Sequence, residues 1–277
     1  MSNETNNSPK FSRDLSGKFL FMRHGQTFYN QTSDLSRRVN PYLSDSHLTE
    51  EGEKQAKLNQ NIINKLNLER VYVSPYYRAL QTVSLAIENH PNLKDITVMV
   101  HPYLSEILCG SHDFIVDIKQ TKKVFNMNSK VKIDWSYFDE YIKKSKYDEN
   151  FIYFENMNLI DEKEKNDEYL ILKKLYDSGD MKKFKEELGK FLVEKKKIFL
   201  RFESFKHAND RFEKFKEYLR NEFKDTINDK DKKVLCVTHS SLMSIATSSV
   251  PFLTDKVNET VDNLYKMQNG EINTVFI

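Results

Sequence analysis

An arginine and a histidine stand together at the end of a short apolar run near the start of the chain. The run Lys18–Met22 has the composition of a buried strand, and Arg23-His24-Gly25 follows it directly. The histidine offers a nucleophilic nitrogen, the arginine is a fixed cation, and the glycine lets the backbone curve around an anion. Alone the triplet is not specific, because a lone histidine at a strand end is more often only a hydrogen-bonded residue.

A second apolar run leads into a helix with an arginine in its first turn. Arg70–Ser74 is followed by Pro75, which favours the start of a helix that reaches about Glu88. Arg78 lies where its guanidinium can reach back over the strand ends. Helix N-termini favour anions, and an arginine there adds bidentate donors for a phosphate. The alternative is an exposed arginine on a helix surface.

A second histidine and a glutamate complete the set of candidate groups. Lys233–Thr238 is another apolar strand, and it ends directly in His239 and Ser240. Glu106 follows a strand predicted over 96–100, where a carboxyl group can donate or accept a proton if burial raises its pKa. An isolated surface glutamate is the ordinary alternative. Two imidazoles, two guanidiniums and a carboxylate would then share one crevice.

Strands that alternate with helices predict an α/β fold with a mainly parallel central sheet. Thr49 is suited to cap a helix with apolar positions through Leu66, and 271–277 is typical of an edge strand. Parallel sheets place ligands beyond the carboxyl ends of their strands, so three strand ends should meet in one crevice. The edge strand near Thr274–Ile277 could pair with a second copy, which leaves a homodimer open.

Two parts of the chain differ in composition from these segments. Residues 1–16 are polar and lack a hydrophobic stretch, so we expect a disordered tail followed by a single domain over 17–277. From about 124 to 205 the chain has no proline, and charges of both signs alternate with Leu, Phe and Tyr at helical spacing. This pattern predicts a helical insertion. A partly disordered loop over 148–167 is the alternative.

Composition narrows the classes of function. The 277 residues carry 43 basic and 41 acidic side chains, so bulk charge gives no argument for nucleic-acid binding. Two cysteines exclude a disulfide-stapled secreted scaffold and a four-cysteine zinc site, and no apolar run is long enough to span a membrane. We therefore expect a cytoplasmic protein with no nucleic-acid or membrane partner. The sequence shows no cluster of metal ligands.

Taken in order along the chain, these segments resemble the histidine phosphatase superfamily, the branch that contains cofactor-dependent phosphoglycerate mutases and related phosphatases. The resemblance covers about 18–110 and 233–277, and no motif covers the insertion. It implies the phosphoglycerate mutase-like fold, a three-layer α/β sandwich with a mainly parallel central sheet, here with a helical insertion. The matching features are the Arg-His-Gly motif with Asn30 after it, Leu-Thr-x-x-Gly-x-x-Gln-Ala at 48–56, Ser-Pro-x-x-Arg-Ala-x-Gln-Thr at 74–82, Glu106 and His239.

The resemblance implies a role for each candidate residue. His24 would attack phosphorus and become a phosphohistidine, so it must be neutral, with a hydrogen bond that fixes its tautomer. Glu106 would protonate the leaving oxygen and later take a proton from water. A phosphoryl transition state needs positive charge and positioning, which the remaining groups can supply without a metal or a cofactor. These phosphate-binding groups would be Arg23, Asn30, Arg78, His239 and Ser240, the last standing where relatives often have glycine.

The sequence favours a metal-independent phosphatase that acts on a phosphorylated small molecule or a phosphoprotein. A phosphoglycerate mutase-type phosphotransfer is the alternative, but it needs extra cationic groups, of which the mixed-charge insertion offers no excess. An inactive scaffold whose insertion binds a partner is a third reading. His47 and the pair His112-Asp113 are left open between a place at the pocket and an ordinary turn.

Overall fold

The structure is a computed structural model that describes the sheet-forming ends of the chain and part of the segment between them. The described residues are 14–32, 43–107, 111–113, 115, 117–144, 203–248, 266–275 and 277, with single positions between 171 and 187. Most of the predicted tail and the alternative loop at 148–167 lie outside them. Asp14 belongs to the described part, and its carbonyl oxygen accepts the Thr274 N–H at 2.8 Å.

Within the residues that the structure describes, six strands form one sheet with the order β4-β3-β2-β5-β1-β6. Four adjacent pairs, from β4 to β1, are parallel, whereas β6 runs antiparallel to β1. The mainly parallel α/β sheet is therefore confirmed. β6 is an edge strand, as expected, and its pairing with a second copy stays a prediction. The strands are β1 (Phe19–Arg23), β2 (Asn67–Val73), β3 (Thr97–Val100), β4 (Lys132–Asp134), β5 (Lys232–Thr238) and β6 (Ile272–Thr274).

Helices follow the strands along the chain. They are α1 (Phe28–Thr32), α2 (Glu50–Leu58), α3 (Gln60–Ile63), α4 (Tyr77–Ile87), α5 (Ile118–Asn128), α6 (Ser136–Lys144), α7 (Phe205–Glu222) and α8 (Ser240–Ala246). As predicted, the Thr49 hydroxyl caps α2 by accepting the Gly52 N–H at 3.1 Å. The helix predicted to continue through Leu66 is interrupted at Asn59, whose side chain bonds to the carbonyls of Gln55 and Gly270. None of these helices is long and apolar enough to cross a membrane.

Two hydrophobic clusters cover the opposite faces of the sheet, so the described parts form three layers. Successive residues of β1 point to opposite faces, with Leu20 in one cluster and Phe21 in the other. Side chains of α4, α5 and α6 cover the first face, including Leu80, Ile118 and Phe138. Side chains of α7 and α8 cover the second, including Phe212, Phe215 and Leu242.

The start of the predicted insertion contributes to the sheet. β4 lies within 124–205 and pairs with β3, and α6 follows it. A three-residue strand of sequence Lys-Ile-Asp has too little alternation to be detected among mixed charges, so the sequence predicted only helix here. Most of the remaining insertion lies outside the described residues.

Candidate active site

The carboxyl ends of three adjacent strands bring the candidate residues together. β5 lies between β1 and β2. The residues that follow β1 and β2 continue to hydrogen-bond to the last residues of β5. The His24 N–H donates to the Thr238 carbonyl and the Ser74 N–H donates to the Val237 carbonyl, both at 3.0 Å. The rings of His24 and His239 consequently lie with their centroids 5.1 Å apart. The predicted meeting of polar strand ends is present.

The His24 imidazole is buried and is held in one tautomer. Its Nδ1 lies 2.7 Å from the carbonyl oxygen of Gly25. Because a carbonyl oxygen can only accept, Nδ1 carries the hydrogen and Nε2 keeps a free lone pair. Burial, and then the positive charges of Arg78 and Arg23, hold the pKa of His24 well below its usual range. The tautomer-fixing partner that the sequence could not identify is thus the backbone of the next residue.

Close backbone packing positions the loop that carries His24. A Cβ atom on Gly25 would lie 2.4 Å from the Gly52 carbonyl oxygen, and one on Gly52 would lie 2.0 Å from the Gln26 carbonyl oxygen. Any larger residue at either position would push the loop away from the start of α2. The Gly25 N–H also donates to the Thr82 hydroxyl of α4 at 3.0 Å. The Leu-Thr-x-x-Gly and Arg-Ala-x-Gln-Thr motifs therefore support the loop that carries His24.

The Arg78 guanidinium is buried and is oriented by three partners. Its Nε donates to Nδ1 of His239 at 3.3 Å, its Nη1 to the His112 carbonyl at 2.7 Å, and its Nη2 to Oδ1 of Asp113 at 3.0 Å. It also lies over the ring of Tyr76, 4.3 Å from the centroid. A guanidinium has five N–H groups, so one on each Nη remains for an anion.

His239 is fully buried and supports Arg78. Since a guanidinium can only donate, Nδ1 of His239 accepts, and its Nε2 carries the hydrogen that is shared with the Ser74 hydroxyl at 2.7 Å. Burial first, and then the charge of Arg78, lower the pKa of His239 well below its usual range. A direct contact of this ring with a phosphoryl oxygen would require Nδ1 to gain a proton, and that contact stays a prediction.

Arg23 leaves a buried donor unused in the described part of the chain. Its Nη1 donates to the Met267 carbonyl at 2.7 Å, whereas its buried Nε has no hydrogen-bond partner there. Burial lowers the pKa of Arg23, and the nearby Glu106 carboxylate opposes that shift. A buried unpaired donor costs about 1–3 kcal/mol, so an anion that accepts from Nε would relieve a cost already present.

Asn30 and Asn269 lie beside the His24 loop. Oδ1 of Asn30 accepts from the backbone N–H of Thr27 at 3.1 Å and from its hydroxyl at 3.0 Å, so its Nδ2 group is the part available to a ligand. Nδ2 of Asn269 donates to the His24 carbonyl at 3.1 Å. Sequence reasoning missed Asn269, although the Asn-Gly pair before the edge strand is a turn signal, and Gly270 has a positive φ of 75°.

The Glu106 carboxyl group is fixed against the start of α8. Its Oε1 accepts the backbone N–H groups of Ile107 and Leu242, both at 2.9 Å, and its Oε2 accepts that of Ser241 at 3.1 Å. Oε2 is therefore the oxygen with more capacity left for a proton. Ser240 follows His239 in the chain and precedes Ser241, and its hydroxyl donates to the Met267 carbonyl at 3.3 Å.

Asp113 is a site residue that the sequence left open. Its side chain is fully buried against Arg78, and its carbonyl oxygen accepts the Tyr76 hydroxyl at 2.6 Å. The neighbouring His112 ring stacks on Tyr29 with centroids 3.5 Å apart. Asp113 therefore provides the counter-charge to Arg78. Among the residues described, no three His, Cys, Asp or Glu side chains form a group that could hold a metal ion.

His47 lies at the surface beside α4. Its ring is exposed and stacks on that of Tyr77, with centroids 3.9 Å apart and planes 5° from parallel. Tyr77 precedes Arg78 in the first turn of α4. The structure thus places His47 next to the start of α4, the helix that carries Arg78.

Part of the chain is similar to known proteins. Residues 19–130 match the family model described as histidine phosphatase superfamily (branch 1). A probable phosphatase of Schizosaccharomyces pombe is 33% identical over 102 residues, which are 36% of this chain and 44% of that protein. The chain thus spans less than half the length of the curated relative that it matches. Residues 19–130 are thus similar to the histidine phosphatase superfamily, branch 1.

Solved structures show a more distant likeness. A mycobacterial glucosyl-3-phosphoglycerate phosphatase in complex with VO3 is 16% identical, with a TM-score of 0.44 over 92% of this chain and 88% of that chain. YhfR of Bacillus stearothermophilus has the same identity, TM-score and coverage. The fold described above is inferred from the strand order and register of this chain alone. Structural similarity with TM-scores below 0.5 adds no support to it.

Proposed function

We propose that this protein is a phosphatase that hydrolyses phosphoric monoesters through a phosphohistidine on His24. The observation that carries the proposal is the buried, neutral imidazole whose Nδ1–H is held by Gly25 and whose Nε2 is free. Arg23 and Arg78 flank this ring, and both have N–H groups left for phosphoryl oxygens. The family of residues 19–130 and the phosphatase name of the curated relative support the same class.

The first step transfers the phosphoryl group to His24. The Nε2 lone pair attacks phosphorus, and the bond between phosphorus and the ester oxygen breaks. The leaving oxygen takes the proton from Oε2 of Glu106, and the substrate departs as an alcohol. Arg23 and Arg78 balance the negative charge of the equatorial oxygens, with Asn30, His239 and Ser240 as further contacts.

The second step returns His24 to its starting state. Water attacks phosphorus and gives one proton to the Glu106 carboxylate, and the bond between phosphorus and Nε2 breaks. Inorganic phosphate leaves, Glu106 is protonated again, and His24 is neutral with its hydrogen still on Nδ1. One carboxyl group thus acts as acid and then as base.

The charge in the site comes from guanidinium groups, so we propose that the reaction needs no metal ion or other cofactor. The substrate would be a phosphorylated small molecule or a phosphoprotein. We further propose a cytoplasmic location, because Cys236 is a free, buried thiol in β5 and the chain has only two cysteines.

An assay with p-nitrophenyl phosphate at mildly acidic pH tests this function. We expect turnover that persists in EDTA and is lost in His24→Ala, whereas His90→Gln, which alters a buried histidine near the end of α4, stays active. No turnover of any monoester by the folded protein would favour the inactive scaffold. Transfer of phosphate between positions of a glycerate, in the presence of a bisphosphorylated primer, would instead favour the mutase.

A further inference from the structure

A buried ion pair lies next to the segment that carries Glu106. Arg211 projects from α7, and its Nε donates to Oε1 of Glu203 at 2.6 Å while its Nη2 donates to Oε2 at 3.2 Å. Glu203 is 1% exposed and Arg211 is 6% exposed. Burial alone would raise the pKa of Glu203, but Arg211 and His207 lower it to about 2, so this carboxyl group is ionised.

The same guanidinium binds the backbone on both sides of the turn before Glu106. Its Nη1 donates to the Tyr103 carbonyl at 2.8 Å, and its Nη2 donates to the carbonyl of Glu106 itself at 3.1 Å. Arg211 thus joins Glu203 to two main-chain oxygens of the segment Tyr103–Glu106. Its planar, forked donors suit this bridging, which a single ammonium group could not reproduce.

The proposed acid is consequently held at both ends. Its main chain is bound by Arg211, and its carboxyl group is bound by the N–H groups at the start of α8. Between these contacts, the Thr238 hydroxyl of β5 donates to the Leu104 carbonyl at 2.7 Å. The position of Glu106 relative to the strand ends therefore depends on bonds from three separate elements.

We propose that Arg211, with Glu203 as its counter-ion, is the positioning residue for Glu106. This inference rests on the proposed phosphatase reaction, in which Glu106 protonates the leaving oxygen. Glu203 is needed because an unpaired guanidinium buried at this depth would be strongly unfavourable. A buried ion pair adds little net stability over apolar residues of similar size, whereas here the other donors of the arginine converge on the Glu106 segment.

The double substitution Glu203→Gln/Arg211→Met tests the proposal, because it removes both charges together and leaves no charge buried alone. We expect kcat for an alkyl phosphate, whose leaving oxygen needs a proton, to fall at least ~10-fold, and kcat for p-nitrophenyl phosphate to fall less than ~3-fold. KM should change little for either ester, since Arg23 and Arg78 are untouched. Arg220→Met, an exposed change on the same helix, is the matched control and should leave both rates unchanged.

A second variant tests the same proposal if the double variant does not fold. Arg211→Lys keeps the charge opposite Glu203 but cannot bond both carbonyls, so it should show the same selective loss to a smaller degree. Thermal unfolding and circular dichroism establish that each variant is folded. Equal losses on both esters, or no loss on the alkyl phosphate, would overturn the positioning role.

Combination with Glu106→Gln separates positioning from general damage. If Arg211 acts through Glu106, the double substitution should cause no further loss on the alkyl phosphate once Glu106 is replaced. If the loss of kcat from the Glu203/Arg211 double substitution multiplies with the loss from Glu106→Gln, the positioning role is overturned, while the wild-type protein remains an active phosphatase. A wild-type protein that hydrolyses neither ester would overturn the proposed function as well, and so distinguishes the two failures.

Discussion

At the His24 side chain, the Gly25 carbonyl accepts the hydrogen of Nδ1 and directs the reactive lone pair to Nε2. Burial, and then the two neighbouring arginines, keep the ring neutral, which is the form that can attack phosphorus. In the proposed reaction, the same arginines stabilise the negative charge that the phosphoryl group brings into the site. The arginines proposed to bind the phosphoryl group thus also keep the proposed nucleophile, His24, in its neutral form.

The role of the Asp113 side chain can be tested by substitution, because its carboxylate orients Nη2 of Arg78 and balances the positive charge of that guanidinium. We expect Asp113→Ala to lower kcat/KM on p-nitrophenyl phosphate by ~10- to 100-fold, since it leaves a buried guanidinium unpaired and poorly oriented. Asp113→Asn should retain most of the activity, because its Oδ1 can still accept from Arg78. Steady-state kinetics on the folded variants checks this, and an Asp113→Ala variant with unchanged kcat/KM would contradict it.

Among the secondary-structure elements, the ends of the strands could be predicted from the sequence. The long-range contacts that residues between and beyond the strands make with the site could not. Short apolar runs identified β1, β2, β3 and β5 within a few residues, and parallel strands bring their carboxyl ends to one edge. Asp113, Asn269 and Arg211 were not assigned a role, because each contacts a residue far away in the chain and no local motif indicates that contact. β4 was missed for a related reason, since its neighbours are mixed charges without alternation.

The start of α4 provides a pH-dependent test of stability. Oδ1 of Asp45 accepts the Tyr77 N–H at 3.0 Å, and burial raises the pKa of Asp45 to about 7. A carboxyl group with a raised folded-state pKa stabilises the fold fully below its unfolded pKa of about 3.9, and that contribution is lost as the pH rises through about 7. Asparagine preserves the acceptor and tolerates the positive φ of 40° at this position.

We therefore expect Asp45→Asn to raise the free energy of unfolding above pH 7, by an amount on the order of 2 kcal/mol, and to change it little near pH 4. Denaturant unfolding of both proteins across this range measures the difference. A difference between the two proteins that does not grow as the pH rises would contradict the assignment of a raised pKa to Asp45.

In the whole molecule, the two helical layers contribute different parts of the site. α4, on one face of the sheet, carries Arg78, and the clustered side chains beneath it fix its start beside the strand ends. α7 and α8, on the other face, bond to the main chain and carboxyl group of Glu106. The layered α/β architecture was predictable from the alternation of strands and helices. Which layer carries Arg78 and which layer binds Glu106 was not, because this depends on side-chain contacts between distant segments.

The central claim, a phosphoryl group carried by His24, can be tested directly by trapping. The protein is mixed with a radiolabelled monoester, quenched in alkali during turnover, and digested so that the labelled peptide can be identified. We expect label that resists base, is released by acid and maps to His24, with none bound to His24→Ala. Turnover of the ester with no label at His24, or with label on an acid-stable residue, would contradict the mechanism.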